Sequence, residues 1–213
     1  MTTNSITIMT IRQLHYVSGI SLALFTGLHL SNHLASLFGA EFHIQFMEAI
    51  RPIYRNIVVE SLLMLAILLQ VFSGLKLVLQ KRKAAGDFYS KLQIRSGLYL
   101  AFFLLAHSSA VLLGRYVLGL DTNFYFGAAA LNSFPYLLFF VPYYLLAILS
   151  VFGHLAAVHR LKMKASILGF SPTQQSNIII GMSLVLSLLI FYGMTNQFQG
   201  VDLPTEYQLP KLG

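Results

Sequence analysis

Cysteine is absent from this chain. That excludes disulfides, thiolate metal sites and cysteine nucleophiles, and leaves the redox compartment undefined. Charge is scarce: 10% of the 213 residues are Asp, Glu, Lys or Arg, against roughly 25% in a water-soluble domain. So little charge cannot solvate a globular surface. Carboxylates are scarcest, with seven in all, and only Glu60 falls within a long apolar run. A secretory signal pattern is also missing. Thr2 to Thr10 is polar and mixed, with no small-residue cleavage site after a short apolar region.

What the chain has in quantity is apolar sequence, at 56%, gathered into runs longer than the ~18 residues a bilayer requires. Five runs stand out, at about 13–38, 57–79, 93–118, 135–158 and 178–198. Each can cross roughly 30 Å of hydrocarbon as a helix, and in lipid a helix is the form that satisfies its own backbone. The expectation is an all-α membrane protein of five transmembrane helices, forming one domain over residues 1–213.

The net charge of +7 collects beside the spans. Lys81, Arg82, Lys83, Lys91 and Arg95 follow the second, and Arg160, Lys162 and Lys164 follow the fourth. Both loops share a side with the N-terminus, so the positive-inside rule makes that side cytoplasmic, in a cell inner membrane, with the tail 200–213 extended and outside. The basic residues lie beside apolar spans and not on a polar helix or aromatic sheet motif, which points to lipid headgroups and away from nucleic acid. The aromatic-rich outer loop 115–132 reads as an interfacial belt.

An internal repeat is visible. SGISLALFTGLH, from Ser18 to His29, matches SGLYLAFFLLAH, from Ser96 to His107, and an arginine precedes each, Arg12 and Arg95. LQVFSGLKLVLQKRK in span two loosely matches LSVFGHLAAVHRLKMK in span four. The offsets predict a duplicated two-helix unit with a fifth helix added. The Ser-Gly pairs 18–19, 73–74 and 96–97 permit close approach of a helix or of a flat ligand, and helix packing is the simpler use.

Histidine is the chemistry-bearing residue in the spans. His29 lies about 24 Å along span one and His107 about 21 Å along span three, counted from their cytoplasmic ends. The two should share a depth in the outer half of the bilayer, where ionisable groups are expensive and functional by default. Facing imidazoles can ligate one haem iron from both sides. An interhelical hydrogen bond is the alternative for either alone, and zinc is disfavoured because it wants about four ligands. His33, one turn beyond His29, could replace it or contact a haem propionate or quinone. His15, with Arg12 beside it, sits near the cytoplasmic surface. His154 belongs to the cytoplasmic half, and the opposing position in span two is Gln70. His43 and His159 fall in or beside loops and are expected to be solvated.

With these residues in place, the chain resembles the five-helix cytochrome b membrane anchors of succinate dehydrogenases and fumarate reductases that carry two haems. The likeness runs from about Arg12 to Phe198. It rests on RQLH (Arg12 to His15), HLSNH (His29 to His33), Gly97 ten residues before His107, and Tyr144 ten before His154. The resemblance implies a four-helix haem-binding bundle plus a fifth helix, with His29 and His107 as ligands of an outer haem b. His154 would be one ligand of an inner haem, metal ligands thus being His29, His107 and His154. It further implies quinone as electron partner, with contacts from His15, Arg12 and His33, and flavoprotein and iron–sulfur subunits docked at the basic loops. Gln70 departs from the pattern, because the family has a histidine there, and the inner haem stays open. The spacing of His29 and His33 also departs by one residue, so either could be the ligand. The expected function is electron transfer within the membrane as a subunit of an oxidoreductase. The alternatives are a cofactor-free structural or assembly subunit, whose histidines make interhelical hydrogen bonds, and, more weakly, a small transporter.

Overall fold

A computed structural model describes residues 3–81 and 86–210, with side chains considered outside 3–10 and 81. Arg82 and Lys83 of the first basic loop and the last three residues of the tail lie outside the described residues. The described chain is helical, with α1 Thr3–Ala35, α2 Ala40–Tyr54, α3 Ile57–Lys81, α4 Phe88–Tyr116, α5 Phe124–Ala129, α6 Leu137–Lys162 and α7 Pro172–Met194. Among the described residues, four helices are long and apolar enough to cross a membrane: Ile57–Gln80, Phe88–Tyr116, Leu137–Lys162 and Pro172–Met194. α1 is as long but more polar, because His29, Asn32 and His33 interrupt its apolar end.

Each of the five long helices packs against two neighbours, in the order α1, α3, α4, α6, α7 and back to α1, so they close a ring. Two sets of contacts mark its ends. At one, Lys162 lies over the Tyr16 ring at 5.0 Å and Tyr89 donates to Asn177 Oδ1 at 3.0 Å. At the other gather α2, α5 and the chain after α7. There Tyr207 donates to the Asp121 carbonyl at 2.9 Å and Asn132 to that of Met194 at 3.0 Å.

The packing inverts the order of a water-soluble bundle. α3 exposes Val58, Leu62, Leu65, Leu68, Phe72, Leu75 and Leu79 along one stripe, at the three- and four-residue steps of a helix face. Ser18, Ser73, Ser96, Ser176, Ser183 and Ser187 are buried instead. A solvent as apolar as leucine favours this arrangement, since small polar residues allow close helix contact and hydrogen bonding.

Local chemistry sets the helix ends. Asp87 caps α4 by accepting from the Ser90 amide, and Ser171 and Gln174 form a capping box for α7 with Pro172 in its first turn. Gly39, at φ 103°, makes the break that separates α1 and its short 3-10 turn from α2. The expected fifth span to Phe198 ends early, at Met194. Asn196, Gln197 and Phe198 take left-handed backbone angles, and Gly200 N–H closes the turn onto the Thr195 carbonyl at 3.0 Å. α7 also begins six residues before the expected start, at Pro172, because the capping box stops it there.

Two helices were not foreseen. α2 fills the interval between the first two spans. It buries His43 and Met47 while Glu41, Phe42, Gln45 and Glu48 face outward. α5 is a single buried turn-and-a-half within the aromatic outer loop, with Phe124 2% exposed. That loop is therefore part of the core at this end. Gly193 in α7 lets the chain at Ser36–Leu37 cross it, since a Cβ there would stand 2.8 Å from the Leu37 nitrogen.

Candidate functional site

The ring of helices lines a cavity of about 330 Å³, whose walls extend to the end where α2 and α5 lie. Most of its lining is apolar, including Leu22, Phe25, Met47, Ile67, Phe103 and Ile190. Four histidines enter it: His29 and His33 from α1, His43 from α2 and His107 from α4.

His29 and His107 lie close together, with ring centroids 6.0 Å apart and planes inclined by 65°. Each is stacked on the phenylalanine one turn before it. Phe25 and His29 are 5.9 Å apart and inclined by 17°, and Phe103 and His107 are 5.0 Å apart and inclined by 10°. The internal repeat accounts for the symmetry, because Phe25 and Phe103 occupy matching places in it. Tyr144 meets His107 edge-on at 6.5 Å. The aromatic neighbours hold both rings in fixed orientations, which side-chain rotation alone would not.

His33 and His29 contact each other through Nε2 at 3.2 Å. His33 Nδ1 is buried and has no hydrogen-bond partner. His43 is a correction to the sequence reading: it is 2% exposed, not solvated. It lies 5.5 Å from the His33 ring and accepts from Asn32 Nδ2 through Nε2 at 3.2 Å. Its Nδ1 must then carry the proton, and that atom too is buried without a partner, as is Asn32 Oδ1. Burial, with the nearby His29 second, pushes His43 down to about 4, so it is neutral at pH 7. The signal that could have found it is the helical spacing of His43, Met47, Ile50 and Tyr54, all of which line the cavity.

Among the described lining residues, the charged ones are Arg55, Glu60 and Arg115, at the end where α2 and α5 lie. Arg115 donates through both terminal nitrogens to the two Glu60 oxygens. Arg51, one turn behind Arg55, pairs with Asp121 at 2.9 Å.

His15, His154, Gln70 and Arg12 do not line this cavity. In the other half of the bundle the Ser-Gly pairs receive polar side chains from neighbouring helices. Ser18 Oγ donates to Gln70 Oε1 at 2.7 Å, and Gln70 Nε2 donates to His15 Nε2 at 3.3 Å. His15 Nδ1 donates to Ser73 Oγ at 3.0 Å, and Ser73 Oγ donates to the Leu69 carbonyl at 2.5 Å. The donor directions follow from the last bond, since a hydroxyl has one hydrogen. Against α4, His154 Nδ1 donates to the Gln93 carbonyl at 3.1 Å and reaches Ser96 Oγ at 3.3 Å. A Cβ on Gly74 would touch His15 at 3.2 Å, and one on Gly97 would touch His154 at 3.3 Å. Gln70 sits on the Ser18–Gly19 step of α1, and His154 sits on the Ser96–Gly97 step of α4. Arg12 is exposed near the start of α1, and His159, half-buried, donates to Gln175 Oε1 at 2.8 Å.

Among the described residues, no three His, Asp or Glu side chains converge as a metal cage. Comparison with protein-family models, curated proteins and solved structures finds no match.

Proposed function

We propose that the chain is a membrane b-type cytochrome that holds one haem in the outer half of its bundle, where His29 and His107 would ligate it. The observation that carries this reading is the close pair of imidazoles: their ring centroids lie 6.0 Å apart within one cavity, and both side chains could hold one ion there. The surroundings fit the same group. The lining is apolar and aromatic, and the charged residues gather at one end, matching an apolar macrocycle with a charged edge. Among the described residues no three His, Asp or Glu side chains form a group that could hold a metal ion, which suits haem better than zinc, since zinc takes about four protein ligands.

Bound haem supplies a one-electron carrier, and the protein sets its ligands, orientation and dielectric. Phe25 and Phe103 fix the ring planes of the two ligands. His33, in contact with His29, and His43 bring polar nitrogens to the outer side of the cavity, where a quinone carbonyl or hydroxyl would find partners. α1 is read as the fifth span, because it closes the ring and turns Val17, Ile20, Leu24 and Leu28 outward. On the resemblance, electrons come from flavoprotein and iron–sulfur subunits on the cytoplasmic side, where the N-terminus and basic loops lie, and pass to quinone.

The inner half favours a structural role. Gln70 and His15 have their polar atoms committed to each other and to serines, a satisfied network that joins α1 to α3. We therefore assign no haem to it, although His154, donating through Nδ1, holds the tautomer that Nε2 ligation requires.

The test is the spectrum of the protein purified from its native membrane. A sharp Soret band with resolved α and β bands on reduction, lost in His107→Ala and retained in His154→Ala, is the expected result. Protein free of haem would overturn the reading.

A further inference from the structure

The mouth of the cavity holds more positive than negative charge. Arg51, Arg55 and Arg115 face two carboxylates, Glu60 and Asp121. Glu60 is taken up by both arms of Arg115. Asp121 lies against Arg51, at 2.9 Å to one oxygen and 3.2 Å to the other. Arg55 is left with Asp121 at 3.6 Å and a neutral partner, Thr122 Oγ1, at 2.6 Å. Its ion pair is the longest of the three, and it lines the same cavity as His29 and His107. Behind it, Arg51 Nε is buried with no partner at all. Burial, then repulsion from Arg51 and Arg115, lowers the Arg55 pKa, as expected of a guanidinium short of counter-charge.

Position completes the case. Arg115 follows His107 by eight residues on α4, or about 12 Å towards the mouth. An occupant whose centre lies between the two imidazoles therefore turns one edge towards the arginines. The walls between are apolar, and Arg55, Glu60 and Arg115 are the charged lining residues among those described. An anion on that edge would supply what Arg55 lacks, and a guanidinium binds a carboxylate through paired, charge-assisted hydrogen bonds.

We propose that Arg55 binds a carboxylate of the cavity's occupant, which on the haem reading is a propionate, and so sets which way round the group enters. This rests on that reading. Arg51, held by Asp121, keeps the local charge positive from behind.

The experiment titrates the full-length protein, stripped of pigment in detergent, with haem b and with its dimethyl ester. The wild type should bind the free acid at least about tenfold more tightly, the scale of one charge-assisted hydrogen bond. Arg55→Gln should bind both equally, and Arg55→Lys should recover part of the preference. Circular dichroism and a single symmetric elution peak check that each variant is folded; should Arg55→Gln not fold, the wild-type comparison and Arg55→Lys still decide. Equal binding of acid and ester by the wild type overturns the proposal and leaves the haem site standing. So does a preference that survives Arg55→Gln. If native mass spectrometry shows that Arg55→Gln loses a retained phospholipid while its haem preference is unchanged, the guanidinium serves a headgroup and the proposal fails. If neither porphyrin gives a low-spin Soret band with wild-type protein, the haem reading falls and Arg55's role with it.

Discussion

Phe103 lies flat against His107, 5.0 Å away and inclined by 10°, and Phe25 stands in the same relation to His29. Two imidazoles that line one cavity 6.0 Å apart are thus each backed by an aromatic ring from the preceding turn. On the haem reading, Phe103→Leu should keep both ligands but weaken binding about three- to tenfold, the worth of one aromatic pair. His29→Ala should abolish the low-spin spectrum altogether. A difference titration followed at the Soret band measures both.

His43 predicts a dependence of stability on pH. Its pKa is about 4 in the fold and about 6.5 in an unfolded chain. Between those values the unfolded chain binds a proton that the folded protein refuses. The His43 contribution is therefore fully present above about pH 6.5 and is lost as pH falls towards 4. Thermal melts in detergent at pH 7.5 and 5 should show the drop, and His43→Gln should reduce it. An unchanged pH slope in that variant would remove His43 from the account.

Glu60 and Arg115 form an ion pair with each side chain 17% exposed. Glu60→Gln leaves a largely buried guanidinium without its counter-charge and should cost about 3 kcal/mol, whereas Glu60→Leu with Arg115→Leu should recover most of that loss. Chemical denaturation in mixed micelles, run on both variants, is the check.

Two glycines of α7 should respond oppositely to alanine. At Gly193 a Cβ would meet backbone, 2.8 Å from the Leu37 nitrogen, so Gly193→Ala should destabilise by about 1–3 kcal/mol. At Gly181 nothing lies within 4 Å, so Gly181→Ala should be neutral or stabilising by up to about 1 kcal/mol. Melting temperatures of the two variants decide the matter.

His29 and His107 could be read as a pair from sequence because both lie on long helices. Equal spacing from Ser-Gly fixes their depth, and the period of a helix does the rest. His43 could not be read that way. It sits on a helix of 15 residues between two spans, and its burial depends on α2 folding back over the mouth of the ring. Gln70 was visible as the odd residue opposite His154. That it bonds to His15 and Ser18 was not, since those contacts join residues 52 and 55 positions apart.

Composition and apolar run length by themselves determined that this chain belongs in lipid, because a chain with so few charges has no water-stable surface. They also determined the helices, since a backbone in lipid must satisfy its own hydrogen bonds. Only the tertiary structure decided which polar groups are used up in holding the bundle and which are left facing a cavity. Gln70, His15 and the serines satisfy one another, while His33 Nδ1 and His43 Nδ1, on side chains that line the cavity, find no hydrogen-bond partner. The difference is one of packing: hydrogen bonds are made or missed across helix interfaces, and no local pattern along the chain records them.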